Sequence, residues 1–152
     1  LGDVYKRQAY DDLGVFKLYA LDLGLLRLLS ELDASVLLKP TSHFVEYKGA
    51  LAENYVLQSL VAQFQTSFRY WTSGNKAEVD FLLQYGSHIF PVEVKADQSI
   101  QGKSLIQYEK LFQPACRIRY SMLNLKKDGN LLNIPLFLAD KTKELLAMQT
   151  FP

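Results

Sequence analysis

The stretch AEVDFLLQYGSHIFPVEVKA, residues 77–96, sets Glu78, Asp80, Glu93 and Lys95 into what otherwise reads as two strands. Gly86-Ser87 is a favoured two-residue hairpin loop, with glycine at the position that needs positive φ in a type II′ turn. Such a turn pairs Phe81 with Val92 and Leu83 with Phe90. It also sets Asp80 opposite Glu93 and Glu78 opposite Lys95. Side chains alternate across a strand, so the four charged residues are expected on one face. Val79, Phe81, Leu83, Phe90, Val92 and Val94 then form the other face, which is wholly apolar and must be core.

Directly opposed side chains have Cβ atoms about 5 Å apart, and like charges there are destabilising. A divalent cation between Asp80 and Glu93 would turn that repulsion into coordination. Mg²⁺ is a hard ion that takes oxygen ligands, commonly one or two carboxylates plus waters. Lys95 beside it would stabilise charge developing on a phosphate or position an attacking water. The same residues also suit a half-exposed strand in which Lys95 simply pairs with Glu78.

A third carboxylate comes from KGALAENYVLQSL. At about 100° per residue, Glu53 falls in one helical stripe with Val56, Leu57, Leu60 and Phe64. A charge on an apolar face is costly unless it is paired or binds metal. Glu53 is therefore either a metal ligand or one end of a structural salt bridge, for instance to Lys95. Gly49 and Ala50 on the same stripe would let this helix approach a sheet closely. Glu46 lies near the helix start, where an acid is favoured anyway.

The elements that must position these residues follow from periodicity and breakers. A strand is expected over 15–21. A helix follows it, capped by Asp22, with Leu25, Leu28, Leu29 and Leu32 along its apolar side. Pro40 in LKPTS ends it. A second helix spans 44–65, then SFRYWTS reads as a strand before the hairpin. GKSLIQYEKLF has the helical period, with Leu105, Tyr108, Leu111 and Phe112 on one side. CRIRYSML alternates like a strand, KKDGN is a turn, LLNIPLFLAD is a strand interrupted at Pro135, and KTKELLAMQ is a short helix.

With 152 residues, 49% hydrophobic and 22% charged, the chain suits one globular domain with a real core. No apolar run approaches the roughly 18 residues of a membrane span, and no signal-peptide pattern opens the chain. A cytoplasmic protein without a membrane partner is expected. Cys116 is the single cysteine, so no internal disulfide and no zinc spacing exist. His43 and His88 fit neither a triad nor a metal site and are assigned to the surface. Phe68, Tyr70 and Trp71 suit core packing or stacking on bases. The net charge of +1 gives no global field for nucleic acid. Six of the eight charges between Asp97 and Lys127 are basic, which suits either phosphate contacts or a solvated surface. DVYKRQ, within residues 1–8, looks like the translated end of a transposon used to fragment DNA, and is set aside as a scar.

A helix bearing Glu53, a strand bearing Asp80 and a strand bearing Glu93-x-Lys95 resembles the PD-(D/E)XK nuclease superfamily over about residues 44–123. The resemblance implies an α/β fold: a restriction-endonuclease-like αβββαβ core with a mixed central sheet flanked by helices. It implies Glu53, Asp80 and Glu93 as metal ligands for Mg²⁺ or Mn²⁺. Asp80, Glu93 and Lys95 become the catalytic residues, and DNA the substrate. Val79 stands where that family usually has proline. FKLYALDLGLLRLL, GALAENYVLQSL and AEVDFLL with PVEVKA are together similar to an uncharacterised domain at the C-terminus of bacterial and archaeal AAA-type ATPases. That likeness implies an upstream P-loop ATPase module as partner, with ATP used there, since no G-x-x-x-x-G-K-[ST] occurs in this chain. Residues 9–43 would be a strand–helix remnant of that module and 44–152 the nuclease-like domain. Two functions follow: a metal-dependent DNA phosphodiesterase, or a catalytically inactive module that binds DNA or a protein partner for the ATPase.

Overall fold

The structure, a computed structural model, describes residues 16–31, 42–74, 77–96 and 102–151. The stretch 1–8 lies outside them. Helix α1 (Leu23–Leu29) starts as expected, with the Asp22 carboxylate accepting from the Leu25 N–H at 2.8 Å. Residues 16–20 do not form the strand expected at 15–21 and join no sheet. Their alternation is real, with Lys17 and Tyr19 turned inward and Phe16 and Leu18 exposed. It is satisfied by side chains instead of a ladder: the Ala20 N–H donates to Asn54 Oδ1 at 2.8 Å.

Helix α2 (Ser42–Gln63) leads into a meander of β1 (Arg69–Thr72), β2 (Glu78–Tyr85) and β3 (His88–Val94). Helix α3 (Lys103–Phe112) crosses to β4 (Arg117–Ser121), followed by β5 (Lys126–Asp128) and β6 (Leu131–Pro135). A 3₁₀ segment (Leu136–Lys141) and α4 (Thr142–Ala147) close the described chain. The six strands lie in the order β1-β2-β3-β4-β6-β5. β3, β4 and β6 run parallel, and the remaining pairs are antiparallel.

Each sheet face has its own cover. Ala52, Val56, Leu60 and Phe64, spaced every four residues on or just beyond α2, bury against Phe81, Leu83, Phe90, Val92, Ile118 and Tyr120. On the other face, Leu105 and Tyr108 of α3 cover Val79 and Leu82, with Trp71 and Ile89 alongside. This is the expected α/β class, a mixed sheet flanked by helices.

Two local expectations change. KKDGN is only partly a turn: Lys126–Asp128 pairs with β6, and the chain reverses at Gly129, whose φ is 57°. Leu111 and Phe112 are exposed, because α3 buries only its Leu105–Tyr108 edge. The hairpin turn is as expected. Gly86 has φ of 61°, Ser87 is not in the positive-φ region, and Phe81↔Val92 and Leu83↔Phe90 pair. A Cβ at Gly86 would meet open space, so Gly86→Ala tests backbone strain alone. It should cost about 1–2 kcal/mol, read as a lower urea midpoint at unchanged slope. An unaltered midpoint would show that this turn tolerates an L side chain.

Candidate functional site

The site is shaped by a break in strand regularity. Arg69 pairs with Leu82, but Trp71 pairs with Val79, so β2 holds one extra residue between those points. A bulge of this kind re-aims side chains. Val79 consequently packs with Leu82, Leu105 and Tyr108 and does not share a cluster with Phe81 and Leu83. The β2–β3 ladder reaches only as far as Phe81↔Val92. Beyond it, the Asp80 carboxylate replaces a backbone partner, its Oδ2 accepting from the Val94 N–H at 2.7 Å. The expected opposition of Asp80 to Glu93, and the pairing of Val79 with Val94, therefore do not form. Hairpin arithmetic assumes a regular ladder, and the bulge adds one residue to it.

Asp80 instead shares its surroundings with Glu53, Lys17 and Lys95. Burial first, and then the charge of Glu53, push its pKa up to about 7, against the Val94 N–H and the two lysines, which pull it down. Glu53 sits half-buried at the edge of the α2 stripe, whose centre is Ala52, Val56 and Leu60. Its Oε2 accepts from the Tyr19 hydroxyl at 3.3 Å. No ion pair joins it to Lys95 among the described residues. Burial and the charges of Glu53 and Asp80 in turn raise the Tyr19 phenol well above its ordinary range.

Lys17 is a member of this cluster that pattern reading of the hairpin and helix did not reach. Its ammonium pairs with Glu78, lies 4.0 Å from Asp80 Oδ1, and sits 5.3 Å from the centre of the Tyr70 ring. Burial would lower its pKa. The bond to Glu78 and the charges of Asp80, Glu53 and Glu78 outweigh that and raise it. The only sequence signal was the polar alternation of Lys17 and Tyr19 inside FKLYAL. Glu78, expected opposite Lys95, is held by Lys17 instead.

Glu93 occupies a different setting. It is 2% exposed, with Oε1 at 3.4 Å from Lys95 Nζ and Oε2 without a hydrogen-bond partner. That oxygen lies 3.1 Å from where a Cβ on Gly102 would stand, so glycine is what lets α3 begin here. Arg119 pairs with Glu93 in the parallel β3–β4 register, and its Nε donates to Asn133 Oδ1 at 3.1 Å. Ser121 Oγ donates to the same atom at 2.8 Å. Burial raises the Glu93 pKa, while Lys95 and Arg119 act to lower it. Lys95 is the link between the two settings, paired with Glu93 and within electrostatic reach of Asp80. Among the described residues, no group of three or more His, Cys, Asp and Glu side chains is arranged to hold a metal ion. Glu53 and Asp80 make one set, and Glu93 stands apart with Lys95 and Arg119.

The other candidates resolve as packing. Trp71 stacks edge-on with Tyr108 and Phe112, and Phe68 with Phe81. His88, expected at the surface, is partly exposed and packs against Phe90 and Phe151. The His43 and Glu46 side chains lie outside the described set. Cys116 is a free, buried thiol whose pKa burial raises. Much of the basic C-terminal half is internally engaged: Arg117 with Glu109 and Asn130, Lys126 with Asp128, and Lys127 with Gln149. A cavity of about 240 Å³ lies beside the first cluster, lined by Lys17, Tyr19, Ala50, Glu53 and Asn54 among others.

Fold and site together define a mixed α/β domain with two carboxylate settings, Glu53 with Asp80 and Glu93 with Lys95 and Arg119. The chain belongs to the family described as Domain of unknown function (DUF4143), whose model matches residues 48–137. The matched region runs from α2 through β6 and contains Glu53, Asp80, Glu93 and Lys95. No curated protein and no solved structure matches the chain. No helix among the described residues is long and apolar enough to cross a membrane.

Proposed function

We propose that this domain hydrolyses phosphodiester bonds in DNA with a divalent cation, Mg²⁺ or Mn²⁺, and serves as the C-terminal module of an AAA-type ATPase. The observation that carries the reading is the placement of two carboxylates, Asp80 and Glu53, close enough to repel in a largely buried setting. Their mutual repulsion costs the fold stability, and a hard cation would relieve it. Asp80 and Glu53 are the oxygen donors that would hold the ion, its remaining positions being left to water and phosphate, while Glu93 stands apart with Lys95. Bound there, the cation would polarise a phosphoryl oxygen and acidify a water. Lys95, half-exposed beside both carboxylate settings, would hold the non-bridging oxygens of the phosphate and steady the charge that develops on them.

One observation favours a second reading, the inactive module that binds DNA or a protein partner. The Lys17 ammonium already balances Glu78 and Asp80, so the cluster carries an internal cation.

Melting curves in Mg²⁺ and Mn²⁺, paired with cleavage assays on duplex and single-stranded DNA, separate the two. A cation at a hundred times its Kd should stabilise the fold by about 2.7 kcal/mol. Lys95→Ala should keep that stabilisation and lose cleavage, because the ammonium is not a ligand. Absence of both metal stabilisation and cleavage in wild type would favour the second reading.

A further inference from the structure

Residues 16–20 lie across the carboxylate cluster and are fastened to it side chain by side chain. Lys17 reaches Glu78 and Asp80, Tyr19 donates to Glu53 and packs on Phe81 at 5.6 Å between ring centres, and the Ala20 N–H is taken by Asn54. These contacts gather on the acids that repel one another: Lys17 brings a positive charge to them, and Tyr19 brings a hydroxyl donor to Glu53. We propose that Lys17 is a resident counter-ion of this site, which a divalent cation must displace, so that the segment 16–20 sets the metal affinity of the domain. The proposal rests on the metal-dependent reading above.

The physical basis is competition for one negative field. An ammonium 4.0 Å from Asp80 lowers the potential available to any second cation. A metal ion held by Asp80 would also meet the ammonium at close range, in a setting where solvent screens their repulsion poorly. Metal entry should therefore release Lys17, and with it the hydrogen bonds that hold Tyr19 and Ala20. The same logic explains why Lys17 has so many acidic neighbours while the nearby Lys95 is left to Glu93. Tyr70 adds to the retention of Lys17 through its ring face.

The test uses the whole chain and Mn²⁺ alone as probe. Lys17→Met should bind Mn²⁺ about tenfold more tightly than wild type or better, and Lys17→Arg should stay near wild type. Equal or weaker binding by Lys17→Met, in a protein whose wild type does bind, would overturn the proposal and leave the metal reading intact. Hydrogen exchange on wild type guards against a variant that does not fold. Saturating Mn²⁺ should speed exchange at the Ala20 amide, which loses its hold on Asn54, while altering the Val94 amide that Asp80 caps. A changed Val94 with an unchanged or slowed Ala20 would overturn the proposal alone. No response at either amide, with no Mn²⁺ binding by any variant, would overturn both it and the reading beneath it.

Discussion

Asp80→Asn is expected to unfold at a higher urea concentration than wild type at pH 8, and to lose any stabilisation by Mg²⁺ or Mn²⁺. Folding raises the carboxyl pKa from its ordinary 3.8 to about 7, with burial as the larger cause and Glu53 as the second. An acid with a raised folded pKa holds its proton more tightly in the folded chain. Between about pH 4 and pH 7 the folded state therefore carries more protons than the unfolded one, and stability falls as pH rises through that window. Above pH 7 the full penalty persists. At about 1.4 kcal/mol per unit, it amounts to roughly 2–4 kcal/mol. Asparagine keeps an oxygen to accept from the Val94 N–H, so the substitution removes charge and spares the hydrogen bond. Near pH 4 the two proteins should converge. Glu93, also raised, gives wild type a further slope of the same sign that Asp80→Asn should leave in place. If Asp80→Asn were instead less stable at pH 8, the carboxylate would be a net structural asset through Lys17 and the Val94 N–H. The repulsion argument would then fail.

How far this site could be read from sequence depends on which interactions are local. The hairpin turn was legible because Gly86-Ser87 fixes its own geometry, and a fixed turn fixes the register beside it. The two-faced sheet was legible because α2 and α3 each show their apolar spacing in consecutive residues. The bulge at Asp80 was not, since it answers to β1 and α3, which pull Val79 to the Leu105 side. Moving one residue was enough to separate Asp80 from Glu93. Glu53 was found by helical phase but placed at the centre of a stripe of which it is the edge, because α2 buries the 52, 56 and 60 line. Lys17 left only the alternation of FKLYAL, and Arg119 left no mark that pointed to Glu93. Each matters only through partners, Glu78 and Asp80 for one and Glu93 and Asn133 for the other, that are distant or on another strand. In this chain the carboxylates and Lys95 announce themselves in sequence, and the roles of Lys17 and Arg119 beside them appear only once the chain is folded.

Arg119 should be the costlier of the two balancing cations to remove. It is 9% exposed, against Glu93 at 2%, and the two residues are register partners on neighbouring parallel strands. Arg119→Met keeps much of the aliphatic volume and takes away the charge. Asn133 loses one donor but keeps Ser121 Oγ, so its loss is small. Glu93 loses a counter-charge in a place where water cannot replace it, leaving Lys95, which is half-exposed, as its remaining cation. Arg119 acts on Glu93 as a second nearby positive charge, and a buried carboxylate left with less compensation is destabilising, so Arg119→Met should unfold at a lower urea concentration at pH 8. Two further measurements show whether charge is the reason. At lower pH the cost should shrink, because burial raises the Glu93 pKa and a carboxyl that has taken up its proton no longer needs the guanidinium. The double variant Glu93→Gln, Arg119→Met should be more stable at pH 8 than Arg119→Met alone, since a neutral amide leaves no orphaned charge. A cost that is the same at both pH values, and that Glu93→Gln does not relieve, would mean that Arg119 serves β4 through packing and Asn133 and has no electrostatic hold on Glu93.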